Sequence, residues 1–176
     1  MAVALHSGGL VLYLLDADTL IRADSTYYPL RRFPVFWEWL QHMGIAGAVK
    51  VPIEQYEEIT VGKGLLVDWL NEEDIRAALL LHEEADPAIV AAVTQTGYAP
   101  DLNEAEQEEI GCDPFLIAYG YAAIGERFVV TFEVSAPSKQ RAKRKVPDIC
   151  NELGIPCGTL FDVIEALDFT TDWKPE

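Results

Sequence analysis

An α/β fold, with a parallel sheet enclosed by helices on both faces, is what the 176-residue chain predicts. Three features carry that expectation. Short, continuously apolar runs stop abruptly at polar residues, helical stretches alternate with those runs, and Gly, Pro or Asp marks most of the changes. Half the residues are hydrophobic, enough for one substantial core, so 1–176 is expected to form a single domain.

The run Leu10–Leu15 follows Gly8-Gly9 and ends at Asp16, as expected of a strand buried on both faces of a parallel sheet. Asp18 or Thr19 is placed to cap the following turn. Phe33–Met43 has helical spacing, with Phe36, Trp37, Leu40 and Met43 for one face, and Gly44 and Gly47 to end it. Ala48–Val51 reads as a second strand. Pro52 stands where the first turn of the next helix, IEQYEEI, tolerates it.

Leu65–Thr96 is helical in composition, with a break at Asp86-Pro87, and Gly97–Asn103 is a loop. Asp113-Pro114 supplies an N-cap acid and a proline at the first helical position. FLIAYGYAAIG then continues a helix that is apolar almost all round, hence central. Phe128–Phe132 is the third strand. A basic loop, a short helix near Pro147–Leu153, a brief strand around Ile155–Cys157 and a last helix through Leu160–Leu167 complete the chain. The long helical insert between the second and third strands belongs to the same domain.

The formal net charge of -16 weighs against a broad polyanion-binding surface. The exception is local: Lys139, Arg141, Lys143, Arg144 and Lys145 fall within seven residues, while the rest of the chain carries eight basic against twenty-nine acidic residues. Those five are the candidate nucleic-acid contacts, a solvated loop being the plainer alternative. Cys112, Cys150 and Cys157 lack CxxC spacing, and His6, His42 and His82 are scattered. Neither a disulfide framework nor a zinc site is therefore expected. The apolar run before Asp16 is too short to span a bilayer and has no basic leader, so a cytoplasmic protein without membrane attachment is expected.

In an open parallel sheet, ligands sit beyond the carboxyl ends of the strands. Asp16 closes the first strand there, Glu133 lies just past the third, Asp113 opens the buried helix before it, and Glu58 lies on the helix after the second strand. Like charges about 4 Å apart repel by roughly 4 kcal/mol at an effective dielectric near 20. A hard divalent cation relieves that repulsion, and Mg²⁺ or Mn²⁺ takes a few carboxylates plus waters. Such an ion activates water for attack on a phosphodiester. Taken singly, each acid is more simply a helix cap or a solvated surface group; their joint placement is what points to a site.

YLLDADTLI, VPIEQYEEI, GCDPFLIAYG and VVTFE, in that order, resemble the four motifs of PIN domains. The aromatic stretch YYPLRRFPVFWEWL and the tail KVPDICNELGIPCGTLFDVIEAL are similar to an uncharacterised prokaryotic branch of PIN-like proteins, so the resemblance spans nearly the whole chain. It implies a three-layer α/β/α fold and a ribonuclease using Mg²⁺ or Mn²⁺. Asp16, Glu58, Asp113 and Glu133 would be catalytic, with Asp16, Asp113 and Glu133 on the metal and Asp18 and Thr131 in support. Glu57 is an alternative to Glu58, and Glu133 stands where aspartate is commoner. PIN relatives further imply an RNA substrate, a toxin role with an antitoxin partner (the VapC type), and a homodimer.

Two other readings fit the same residues. Asp16-Ala17-Asp18-Thr19 matches the DxDxT signature of haloacid-dehalogenase-like phosphatases. There Asp16 would be the nucleophile, Asp18 the general acid/base and Thr131 a phosphate-binding group. A PIN-shaped binding module without catalysis is the other; Tyr27, Tyr28, Phe33, Phe36, Trp37 and Trp39 would line its partner groove, unless they are core.

Overall fold

The computed structural model describes residues 10–174; Gly8-Gly9 and His6 lie outside them. At the centre, four parallel strands run in the order β2-β1-β3-β4: β1 Leu12–Leu15, β2 Val49–Lys50, β3 Arg127–Val130 and β4 Cys157–Gly158. Tyr13 pairs with Val49 on one side and Phe128 on the other, and Leu15 pairs with Val130. A further rung lies outside β2. The Val51 N–H donates to the Leu79 carbonyl and the Leu81 N–H donates to the Val51 carbonyl.

Strand side chains alternate between faces, so Tyr13, Leu15 and Val130 enter one core while Leu14 and Val129 enter the other. The first core is covered by α1 Ala17–Arg22, α2 Pro34–Ile45, α3 Ile53–Thr60, α4 Leu65–Leu70, α5 Glu73–Leu79 and α10 Leu160–Ala166. The second is covered by α6 Pro87–Val93, α7 Glu104–Ile110, α8 Asp113–Tyr121 and α9 Val146–Leu153. This is a three-layer α/β/α architecture, as the sequence predicts. Among the described residues no helix is long and apolar enough to cross a membrane.

Leu14, Leu15, Val129 and Val130 are all fully buried, which explains why both strands are apolar without alternation. α8 lies flush on β3. A Cβ added to Gly120 would meet Val129 Cγ2 at 2.7 Å and Ile155 Cγ2 at 2.9 Å, so no larger residue fits the close approach.

Several boundaries differ from the sequence reading. The first strand begins at Leu12 and the third spans Arg127–Val130, with Phe132 beyond its end. Gly44 lies inside α2, where its missing Cβ admits the Ala78 carbonyl, and the chain turns instead at Gly47, at φ 77°. Leu65–Thr96 is not two helices but three, since Asn71 interrupts it and Leu80 joins the sheet edge. A π-turn over Thr94–Tyr98 takes the first residues of the expected loop. α7 was not expected as a helix. Its signal is the capping box in which Asn103 accepts from the Glu106 N–H while the Glu106 carboxylate accepts from the Asn103 N–H. The fourth strand is shifted to Cys157–Gly158.

Candidate functional site

Leaving β1 the chain turns to β2 on one side, and only later returns to β3 on the other. The crevice between the carboxyl ends of β1 and β3 is therefore the switch point of the sheet, where ligands bind in open α/β folds. Asp16 and Thr131 are the first residues past those ends. The Asp16 N–H donates to the Val130 carbonyl at 2.9 Å, and Thr131 N–H donates to the Gly158 carbonyl at 2.9 Å, so both backbones continue the ladder. Thr19 fixes the same corner from α1, its hydroxyl donating to the Val130 carbonyl at 3.1 Å.

Asp16 is a buried acid, 6% exposed, and accepts a 2.8 Å hydrogen bond from the Thr131 hydroxyl at Oδ2. Burial pushes its pKa up to about 6; the Thr131 bond opposes the rise, and Asp18, Glu58 and Glu133 add to it. Asp113 is pushed further, to about 8, by burial and then by Asp16, Glu133 and Glu58, with Lys145 opposing. Glu58 is also raised, by burial and then by Asp18. Asp16, Glu58, Asp113 and Glu133 thus share one field. Glu57 is exposed and is not among the charges that act on Asp16 or Asp113.

α3 and α8 bring their acids in by different means. Tyr56 and Ile59 of α3 enter the first core, while Gln55 and Glu58, one turn apart, share another face. Gln55 is fully buried and its amide donates to the Cys112 carbonyl at 2.9 Å, fixing the turn before Asp113. Asp113 is the first residue of α8 rather than its N-cap, a position held by Cys112, and Pro114 follows it in the first turn. The helix N-terminus favours an ionised Asp113, but burial and the other acids outweigh it. The Cys112 thiol is pushed up to about 11 by burial and by Glu58, Glu54, Asp113 and Asp16.

Glu133 is engaged elsewhere. Its Oε1 accepts from Lys145 Nζ at 2.9 Å and its Oε2 from the Val146 N–H at 2.8 Å, while its own N–H donates to Thr131 Oγ1. It therefore braces the loop before α9, with both carboxylate oxygens occupied. Asp18 forms an ion pair with Arg22 at 2.8 Å. Asp18 is thus held on its own helix, while the Thr131 hydroxyl is held on Asp16.

The basic segment is largely neutralised within the fold. Arg141 binds Glu106 through Nε at 2.7 Å and Asp101 at 2.8 Å, and Arg144 binds Glu152 and donates to the Gly97 carbonyl. With Lys145 on Glu133, only Lys139 and Lys143 of the five form no ion pair among the described residues. The aromatic stripe is mainly core. Phe36, Trp37 and Trp39 are at most 2% exposed and Phe36 stacks on Tyr28, so the expected partner groove is not formed there. Tyr27 and Phe33 remain exposed at the edge of that cluster.

Sequence reasoning missed Tyr98, which it placed in a loop. The side chain is 6% exposed in the second core, its hydroxyl has no hydrogen-bond partner, and burial together with Asp113 and Glu133 pushes its pKa well up. No local pattern marks it, because it ends the turn that continues α6 and is buried only by the tertiary fold. A cavity of about 580 Å³ lies elsewhere, along α9, lined by Ser135, Arg144, Asp148, Asn151 and Cys157 among others. Asp16, Glu58, Asp113 and Glu133 are not in its lining, and the chemistry of the cleft is the stronger guide to function.

Among the described residues no three His, Cys, Asp or Glu side chains are grouped closely enough to chelate an ion. The expected metal set of Asp16, Asp113 and Glu133 therefore does not form such a group. Asp16 and Asp113 fit a hydrated Mg²⁺ or Mn²⁺, because such ions bind through one or two carboxylates and keep several waters.

Fold and cleft together define a class: an α/β/α domain with an acidic crevice at the switch point of its sheet. Residues 13–171 match the family described as Domain of unknown function (DUF4411), and the chain belongs to that family. No curated protein and no solved structure matches the chain.

Proposed function

We propose that the protein is a metal-dependent ribonuclease that hydrolyses phosphodiester bonds in the crevice between β1 and β3. The observation that carries this reading is the pair Asp16 and Asp113, a buried and a half-buried acid at the switch point, with Asp16 adding to the rise in the pKa of Asp113. A bound Mg²⁺ or Mn²⁺ would supply an acidified water and counter-charge for the phosphodiester. Asp16 and Asp113 would hold the ion, Thr131 orients Asp16, and Glu58 stands at the exposed rim where it can accept a proton from water. Glu133 and Lys145 position the loop beside Asp113 rather than contact the reacting atoms.

Within the basic segment only Lys139 and Lys143 form no ion pair among the described residues, so the substrate is best read as a short single-stranded RNA segment met there. A cytoplasmic toxin acting with an antitoxin, as VapC-type relatives do, is the biological setting this reading suggests. Incubation of labelled single-stranded RNA with Mn²⁺ is expected to give cleavage that EDTA and Asp16→Asn both abolish. Cleavage that survives both would contradict it.

The engagement of Glu133 and of three basic residues favours a second reading, a PIN-like module that binds without cutting. RNA retention without cleavage in the same assay identifies that case.

A further inference from the structure

We infer that Tyr27, Phe132 and Phe161 form a stacking platform for one unpaired base of an RNA strand, set at the carboxyl end of β3 beside the crevice. The inference rests on the ribonuclease reading of the cleft, and it names how that site takes hold of a nucleotide without using charge.

The three rings come from three segments. Phe132 follows Thr131, whose hydroxyl is bound to Asp16, so the platform begins at the residue next to the one that holds the acid. Tyr27 ends the π-turn Ala23–Tyr27 that continues α1, and Phe161 lies in the first turn of α10. The Tyr27 ring centroid is 5.2 Å from that of Phe132 and 5.0 Å, edge to face, from that of Phe161. Phe132 and Phe161 are themselves 5.6 Å apart. All three separations lie within the favourable range for aromatic pairs.

Each ring is anchored. Tyr28, the neighbour of Tyr27, stacks on Phe36 at 4.4 Å, and its N–H closes the turn on the Ala23 carbonyl. Phe132 is buried in the first core. The capping box of Thr159 and Asp162 fixes the start of α10. Tyr27 and Phe161 nevertheless keep 38% and 44% of their surface exposed. Rings already held by their neighbours lose little further freedom when a base lies on them.

The extent and character of the patch select the occupant. Two part-exposed rings offer roughly 200 Å² between them, enough for one base. A stable protein interface needs about 800 Å² from each partner. Stacking is also neutral, so it suits a chain of net charge -16, on which an extended cationic groove is not available.

Filter binding of labelled oligoadenylate in EDTA, where no metal-dependent cleavage occurs, tests this beside a ribose-phosphate oligomer of equal length without bases. Wild type, Tyr27→Leu, Phe161→Leu and Tyr27→Trp are compared at one salt concentration, with the oligomeric state of each followed by sedimentation. Wild type is expected to prefer the oligomer with bases. Each leucine variant should bind it about 10-fold more weakly, while its affinity for the baseless oligomer stays that of wild type. Tyr27→Trp, which restores a wide ring, should keep the preference. Leucine variants that bind oligoadenylate as wild type does overturn the platform and leave the ribonuclease reading intact. An equal fall for both oligomers also overturns it, because the loss would not depend on the base. A wild-type dimer that the leucine variants dissociate overturns it in favour of contact with a second copy of the chain. No binding of either oligomer by wild type overturns the RNA reading and the platform together.

Discussion

The Thr131 hydroxyl donates a 2.8 Å hydrogen bond to Asp16 Oδ2, joining the end of β3 to the end of β1 across the crevice where the strand order reverses. Thr131 Oγ1 also accepts from the Glu133 N–H at 3.1 Å, so one hydroxyl links the candidate metal ligand to the loop that carries Lys145. Thr131→Val keeps the shape and removes both bonds. It is expected to cost about 1–3 kcal/mol. The loss should be greater at pH 8 than at pH 5, because the Thr131 bond favours the ionised form of Asp16. Urea unfolding at the two pH values checks this.

The Lys145–Glu133 pair separates ligands from braces. Glu133→Gln retains one acceptor for the Val146 N–H but loses the charge that holds Lys145. Its Mn²⁺ affinity should fall by roughly 10–100-fold, the usual cost of disturbing an outer-shell partner. Asp16→Asn should remove binding altogether. Equal loss in the two variants, measured by calorimetry, would return Glu133 to the metal.

Metal-free stability should fall as pH rises from about 4 to about 8. Unfolded aspartates titrate near 4, whereas Asp16 and Asp113 in the fold titrate at about 6 and about 8. Across that window the folded protein holds protons that the unfolded chain has released. The favourable contribution is complete below the unfolded pKa and is lost as pH passes the folded values. For Asp16 alone the loss amounts to roughly 3 kcal/mol. The Glu106 carboxyl, held down near 2 by Arg141, works the other way, but only at acid pH. Denaturation in EDTA at pH 5 and pH 8 should show the decline, and millimolar Mg²⁺ should reverse it.

Much of this site is legible in the sequence, for definite reasons. Asp16 terminates an apolar run, and a run buried on both faces has few other ways to end. Asp113-Pro114 marks a helix start at once, although the helix begins on Asp113 itself because Cys112 takes the cap. Glu133 shows what residue type cannot convey. Its place after VVTF is that expected of a ligand, and Lys145, twelve residues on, folds back to pair with it. Arg141 is similar: a run of cations reads as a nucleic-acid patch until Asp101, before α7, and Glu106, in its first turn, come against it. Tyr98 had no signal, since its neighbours TQTG and AP say nothing of the core that buries it.

Lys139 and Lys143 are the expected nucleic-acid contacts. Replacing both with glutamine should lower the dependence of log affinity for single-stranded RNA on log salt by about 0.7 per charge. Arg141→Ala should leave that slope unchanged and cost little stability, because the network is exposed. Filter binding across a salt series distinguishes the two. A slope that moves only with Arg141 would place the RNA on α7 instead.

The most direct test is the anomalous scattering of manganese in crystals soaked with MnCl₂. A single peak is expected about 2.1 Å from carboxylate oxygens of both Asp16 and Asp113, with waters completing its shell and Glu133 still bound to Lys145. A peak on Glu133, or no peak in the crevice between β1 and β3, would contradict a two-carboxylate metal site there.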